Sequence, residues 1–439
     1  MGSIRTGALT LRWHYLSFLG SLVVGTTGLL ACSTDAPNDP AQAGAGSGAG
    51  SSAAGMDSGA EGGTSPTAGA ASGGANGGDG TTYCAHGATV AEARTAAGFC
   101  VRRFASVEAV RTLVFAPNGD LFAAAPSNGT PGGSSGGPGQ ILVISDDDHD
   151  GVGESHVFAT GLPDVHGLAL GGGYLYFTNS ITVFRTPYVV GQRQESGPRE
   201  DLSMPATFGN GRWTHGLARS VGGSLLASSG EYSSCGIAPT GSISQVSLGG
   251  TAIVAAGFRN PMYLRCHYKD ELCATNELGE DQTTGAREKF IVIRPDTNYG
   301  YPCCLGAQEP RASGDDAACA TVTREDAEFT LSETPFGFDW EHDTWPSPYT
   351  GGVFVALHGS AYSSPQWAGA KIVFAPADAK THLPAKDAWQ EFVGGFGPDG
   401  GPLQRPADVT FAPDGRLFFA DDLGGQVYWV APDTLTRPD

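Results

Sequence analysis

One hairpin pattern recurs six times along this chain, and that repeat limits the fold more than any other feature. An alternating strand, a turn, and a second strand ending in small or polar residues begin at Arg111, His166, His215, Pro261, Phe336 and Pro406. The intervals are 55, 49, 46, 75 and 70 residues. Asn118-Gly119 and Asp414-Gly415 lie at the turns of the first and last copies, where glycine supplies the positive φ of a tight hairpin. Further strands follow, such as those at 140–145 and 426–430, and no long helical periodicity interrupts them. Six such units predict an all-β fold, a six-bladed β-propeller, whose radial closure leaves only short, protected sheet edges. A β-sandwich array is the alternative, but it does not account for one hairpin recurring with loops of such unequal length.

The propeller occupies 84–439, and two further segments precede it. Residues 1–31 have the form of a lipoprotein signal. Arg5 and Arg12 give a positive start, a mostly apolar stretch without charge follows from Tyr15 to Leu30, and Leu29-Leu30-Ala31-Cys32 resembles a lipobox in which Cys32 is lipidated. Ser33 after the cysteine favours the outer membrane over the inner. An ordinary cleaved signal or a membrane anchor is the alternative, although Gly20, Gly25 and Gly28 break the apolar run. Residues 32–83 read as a disordered tether: 41–80 contain 14 Gly, 11 Ala and 6 Ser, which cannot bury a core.

Charge excludes one class of partner. The chain carries 45 Asp+Glu against 25 Lys+Arg, net −20. Removing Arg5, Arg12 and the five acids of the tether leaves the propeller at −17. A polyanion of this kind repels nucleic acid. Apart from Cys32 there are eight cysteines, an even number that suits disulfides in an exported chain. Eight cysteines allow 105 pairings, among which Cys84–Cys100 and Cys266–Cys273 are the expected local ones, with vicinal Cys303 and Cys304 expected to reach separately to Cys235 and Cys319. A metal site is the rival reading, without paired CxxC spacing to support it.

In a propeller the starts of the inner strands face one end of the central channel. Here those positions hold Arg111, His166, Thr214-His215, Arg259-Asn260, Phe336 and Arg405. One polar residue per blade converging on an axis reads as a site. Arg259 and Arg405 have a second reading, in which they tie blades together through carboxylates such as Asp408 and Asp422.

These segments resemble the glucose/sorbosone dehydrogenase family, soluble quinoproteins on a six-bladed propeller. The resemblance runs in order through 104–118, the acidic turn 145–155, Gly161–Leu170 with its Pro-x-x-His-Gly-Leu, Gly257–Met262 with its Arg-Asn-Pro, 276–282, 298–303, 353–361 and 405–423. It implies pyrroloquinoline quinone and calcium as cofactors. It also implies a sugar substrate whose hydroxyl carbon yields hydride to the quinone, and an external electron acceptor, since no haem sequence is fused. Carried over by residue, Arg259, Asn260, His358 and Arg405 would contact the quinone, with Arg259 polarising a carbonyl that gains charge. His166 and Glu231 would face the sugar, and the backbone carbonyls of Gly279 and Glu280 would hold calcium.

One departure matters. The family's general base is a histidine at the position of Arg212, which cannot accept a proton at neutral pH. His215, three residues on, would serve only if the loop bends, and His166 is the other candidate base. A second arginine of the family is Ala407 here. Asp146, Asp148 and Asp150, followed by Gly151 and Glu154, resemble a calcium loop, read either as a structural ion or as a solvated turn.

The leading expectation is therefore an exported lipoprotein, at the outer membrane or its periplasmic face, that oxidises an aldose or related sugar. A non-catalytic sugar- or partner-binding propeller is the alternative that Arg212 keeps open. A calcium-dependent propeller lactonase is disfavoured, because the axial set is Arg and His rather than carboxylate and Asn.

Overall fold

The computed structural model describes residues 82–437, apart from 128–138, 203–211, 213, 238–240, 280–282, 284, 307–308, 313, 361–367 and 398–402. The signal 1–31, Cys32 and nearly all of the tether lie outside the described residues.

Each repeat forms one antiparallel blade. Blade one contains Thr112–Phe115, Leu121–Ala125, Gln140–Ser145 and Glu154–Thr160, in that order from the axis outward. Blade two starts at Leu168–Gly171, blade three at Leu217–Arg219, blade four at Pro261–Cys266, blade five at Pro335–Trp340 and blade six at Pro406–Phe411. These inner strands pack on one another in cyclic order, and the last returns to the first. Second strands are covered on both faces by neighbouring blades, which is why they read as small or apolar runs. Every residue of Leu121–Ala125, Leu225–Ser229, Val353–Leu357 and Leu417–Asp421 is buried.

Ring closure uses a strand that precedes blade one. Phe99–Ser106 pairs antiparallel with Gln426–Pro432, from Gln426↔Ser106 to Pro432↔Phe99, and completes blade six. Phe104, which the resemblance over 104–118 groups with the first blade, thus belongs to the last. The covalent start of the propeller is locked into its end, and Cys84–Cys100 secures the same region. The remaining disulfides are Cys235–Cys303, Cys266–Cys273 and Cys304–Cys319, so the vicinal pair diverges to two partners.

Two glycines show how closely the inner strands approach. A Cβ at Gly167 would lie 2.5 Å from the His215 carbonyl oxygen, and one at Gly216 would lie 2.7 Å from that of Met262. The His-Gly-Leu sequence in blades two and three is therefore required by packing against the next blade. Deeper in the channel Arg265 of blade four crosses the axis to Asp408 of blade six at 2.9 Å. It also donates to the carbonyls of Leu113, Phe338 and Val409, so one guanidinium pins four blades.

Candidate functional site

The six inner-strand starts and the ends of the second strands share one end of the channel. There the polar ends of the second strands grip backbone amides. Gly167 N–H donates to Thr178 Oγ1 at 2.8 Å, and Gly216 N–H to Ser228 Oγ at 2.7 Å. In blade four a carboxylate takes this role: Glu277 accepts from the amides of Arg259 and Asn260. In blade six Asp421 accepts from Gln404 and Arg405 at 2.6 and 2.9 Å. Burial pushes both carboxyls up, Asp421 to about 6. These contacts fix the backbone that aims Arg259, Asn260 and Arg405.

A first cluster of charges is closed on itself. Asp422, its carboxylate fully enclosed, meets Arg111 Nη2 at 3.1 Å, His358 Nε2 at 3.1 Å and Arg405 Nε at 3.0 Å. Burial opposes its ionisation, yet Arg111, His358 and Arg405 together hold it well below the usual carboxylate range. Phe336 stacks on the His358 ring at 3.9 Å. Tyr263 donates its hydroxyl to the Arg111 carbonyl at 2.9 Å, and its ring lies 5.0 Å from that of His166. Of the two readings of Arg405, this geometry carries the carboxylate tie, here to Asp422 of the same blade, while Arg111 and His358 bring in blades one and five. Asp408 is engaged by Arg265 instead.

The two histidines read as bases are fully buried. His215 Nδ1 lies 3.0 Å from the Ser228 carbonyl oxygen, and its Nε2 lies 3.2 Å from that of Ser180. The loop does not bend to expose the ring. His215 holds blade two to blade three, which removes the geometric basis for reading it as a base. His166 Nδ1 faces the His215 carbonyl at 3.3 Å. Burial lowers His215 to about 4, and burial with the Arg111 charge lowers His166 to about 3. Both rings are neutral at pH 7 and are weak proton acceptors.

A second cluster, on blades three and four, is open. The Arg212 guanidinium lies 3.6 Å over the Tyr232 ring, and its buried Nε and Nη2 have no hydrogen-bond partner among the described residues. Among the described residues no carboxylate forms an ion pair with it. Burial and the neighbouring Arg259 lower its pKa to about 10, so it stays charged at pH 7. Glu231 is buried too, with Oε2 unpartnered and its pKa raised by burial. Its amide donates to the Arg259 carbonyl at 2.9 Å. Gly230 allows this convergence. A Cβ there would lie 2.8 Å from the Arg259 carbonyl oxygen and 3.0 Å from both Arg212 Cγ and Asn260 Oδ1. Thr214 Oγ1 lies 3.4 Å from the same Asn260 oxygen. Orphaned cationic donors in a buried setting are costly unless an anion meets them. A polycarboxylated quinone fits this cluster.

Calcium fits less well at the position expected for it. The Gly279 carbonyl accepts from Arg259 Nη1 at 2.5 Å, so that oxygen is already spent on a cation. Glu280 lies outside the described residues. Asp146, Asp148 and Asp150 bring ligand oxygens within 4.8 Å of one another. They occupy a turn between the third and fourth strands of blade one, at the opposite end from Arg212. There Asp148 and Asp150 accept from the amides of Asp150 and Val152 at 3.2 and 2.7 Å.

No family model matches this chain. An uncharacterized protein of Borreliella burgdorferi is 26% identical over 186 residues, which is 40% of this chain and 48% of that one. The chain thus spans about half the length of the curated relative it matches. Solved structures align over much more. A Trichoderma reesei protein of carbohydrate-active enzyme family AA12 covers 79% of this chain and 99% of its own, with a TM-score of 0.61 at 18% identity. The pyranose dehydrogenase PQQ domain of Coprinopsis cinerea, in its holo form, covers 77% and 96% with a TM-score of 0.61 at 17% identity. The PQQ-bound aldose sugar dehydrogenase of Streptomyces coelicolor covers 77% and 99%, with a TM-score of 0.52 at 17% identity. The shared feature is the six-bladed propeller. At this identity the likeness establishes that architecture, in which this chain's structural neighbours include PQQ-dependent sugar dehydrogenases.

The sequence does not single out Arg212 as a cation with no ion pair among the described residues, or Arg111 as a partner of Asp422. The consecutive Asp421-Asp422 at a second-strand end was the available signal for the hub. Nothing in the sequence marked Arg212 as unpaired, because that depends on what the neighbouring blade does not supply.

Proposed function

We propose that this chain is a quinone-dependent sugar oxidoreductase whose ligand site is the open cluster on blades three and four. The observation that carries this reading is the Arg212 guanidinium beside Arg259, with its buried Nε and Nη2 unpartnered among the described residues. Arg212 and Arg259 would hold quinone carboxylates, and Asn260 would lie against the ring system. When bound, the quinone supplies a two-electron acceptor for the hydride leaving the sugar's hydroxyl carbon. The hydroxyl proton needs a separate acceptor. Glu231 takes that role in our reading: its Oε2 has no partner, and burial raises its basicity toward the working pH. His166, fully enclosed beside Tyr263, leaves the sugar contact to Glu231 in this reading. No step is routed through calcium, given the engagement of the Gly279 carbonyl.

Four disulfides suit an oxidising compartment, and we extend the proposal to an exported protein lipidated at Cys32. Electrons would pass to an external acceptor. A second reading, a sugar-binding propeller without turnover, draws on the burial and low basicity of His166 and His215. The full chain, expressed in an oxidising compartment and supplied with pyrroloquinoline quinone and a panel of aldoses, separates the two. Sugar-dependent dye reduction is expected. Quinone binding without reduction of the dye by any sugar would favour the second reading, and failure to bind quinone would overturn the first.

A further inference from the structure

At the opposite end of the propeller, three potential ligand side chains from two blades converge. His267 and Asp270 lie in the turn joining the first two strands of blade four. His382 lies in the loop joining the last two strands of blade five. His267 Nδ1 is 3.2 Å from Asp270 Oδ1, and His382 Nε2 is 3.2 Å from Asp270 Oδ2. The imidazoles face each other with centroids 3.9 Å apart and planes 20° from parallel. One donor atom from each residue lies within 4.8 Å of the others.

We propose that His267, Asp270 and His382 form a binding site for a borderline divalent transition metal such as Zn2+, clasping blade four to blade five.

The chemistry of the donor set supports this. Two imidazole nitrogens and one carboxylate are ligands for zinc and its neighbours rather than for calcium, which takes oxygen ligands. The Lys269 amide points at His267 Nδ1 at 3.4 Å, which favours a lone pair on that nitrogen. Facing a carboxylate oxygen at 3.2 Å, that nitrogen can bond Asp270 through a ring proton or share a bound cation with it.

The supporting structure is rigid on both sides. Cys266–Cys273 closes the six-residue turn that carries His267 and Asp270, and His267 N–H donates to the Leu272 carbonyl at 2.7 Å. On the other blade His382 sits at φ +55°, a left-handed conformation that a non-glycine residue adopts only where its surroundings hold it. Its carbonyl accepts from Trp340 Nε1 at 2.9 Å, and its amide donates to the Asp378 carbonyl at 2.8 Å. Lys269, the cation nearest in sequence, is paired with Asp343. Asp270 is 41% exposed at its side chain, which leaves an entry path and room for water to complete the coordination. The site is independent of the quinone reading.

The test uses the full chain, stripped with a chelator and titrated separately with Zn2+, Co2+ and Ca2+. One Zn2+ per chain is expected, with Co2+ giving the visible absorption of a nitrogen- and oxygen-ligated ion. Saturating Zn2+ should raise the melting temperature by about 3–5 °C. His382→Ala, on a solvent-facing loop, should weaken Zn2+ binding about tenfold to a hundredfold and abolish the thermal shift. Asp270→Asn should do the same while keeping the turn's size. Absence of a Zn2+ site in the wild-type chain would overturn the proposal. So would Zn2+ binding that both variants retain, or a Ca2+ affinity here that equals that for Zn2+.

Discussion

The Asp422 hub and the Arg212 cluster lie at the same end of the same channel, and each gathers buried charge from more than one blade. They differ in how those charges are answered. At the hub, one carboxylate meets three basic side chains within 3.1 Å, and the groups stabilise one another. At Arg212 two buried nitrogens have no hydrogen-bond partner among the described residues, and the strongest charge acting on the group is a second guanidinium, Arg259. A protein can hold such an arrangement only by giving up stability that a ligand would return. Arg405 and His358 belong to a closed set of ion pairs, and it is on this difference that the proposed site rests with Arg212 and Glu231.

The comparison can be broken first at the hub. Asp422→Ala strands Arg111 and Arg405 in a buried setting and should cost about 3–5 kcal/mol of unfolding free energy. Denaturant titration measures this, and a loss under about 1 kcal/mol would mean the hub is not the structural element described.

Glu231→Gln sharpens the other side. It keeps the shape and removes the proton acceptor, so turnover should fall about a hundredfold while the denaturation midpoint stays near that of the wild type. Unchanged turnover would assign the proton to another group. Since burial raises the Glu231 pKa, wild-type activity should fall as pH drops through that raised value.

Acid should also act on the two clusters with opposite sign. His358, lowered to about 4 by burial against the pull of Asp422, is neutral when folded. Its unfolded form titrates near 6.5, so the stability it contributes is complete above that pH and is lost between about pH 6.5 and 4. His166 and His215 act in the same direction. Asp422, held low in the fold, contributes stability above about pH 4 that drains away in stronger acid. Glu231, held high, gains on protonation and favours the fold as pH falls. Between pH 8 and 4, His358→Gln should therefore lose less unfolding free energy relative to its own value at pH 8 than the wild type does. An equal slope would remove His358 from the account.

The propeller was legible in the sequence because each blade repeats a hairpin whose glycine turns and alternating strands announce themselves locally. The closing strand Phe99–Ser106 was not, since its partner Gln426–Pro432 lies at the far end of the chain and nothing local names it. The inner-strand starts were readable as a set, but their individual fates were not. His215 looked available beside a strand start, and both its nitrogens turned out to face carbonyls of Ser180 and Ser228. Arg405 and Arg212 are alike in sequence terms, each a lone arginine ahead of an inner strand. Only the position of Asp422 on the same blade as Arg405 distinguishes them.

Quinone titration of matched variants tests the central claim most directly. Pyrroloquinoline quinone binding is followed for the wild type, Arg212→Met and Arg405→Met, with unfolding measured in parallel. The account predicts that Arg212→Met loses at least about tenfold in affinity, as for a buried charge-assisted contact, with stability unchanged or raised. Arg405→Met should lose stability and keep its affinity wherever it remains folded. Tight binding that survives Arg212→Met and disappears in folded Arg405→Met would contradict the account and return the site to the hub.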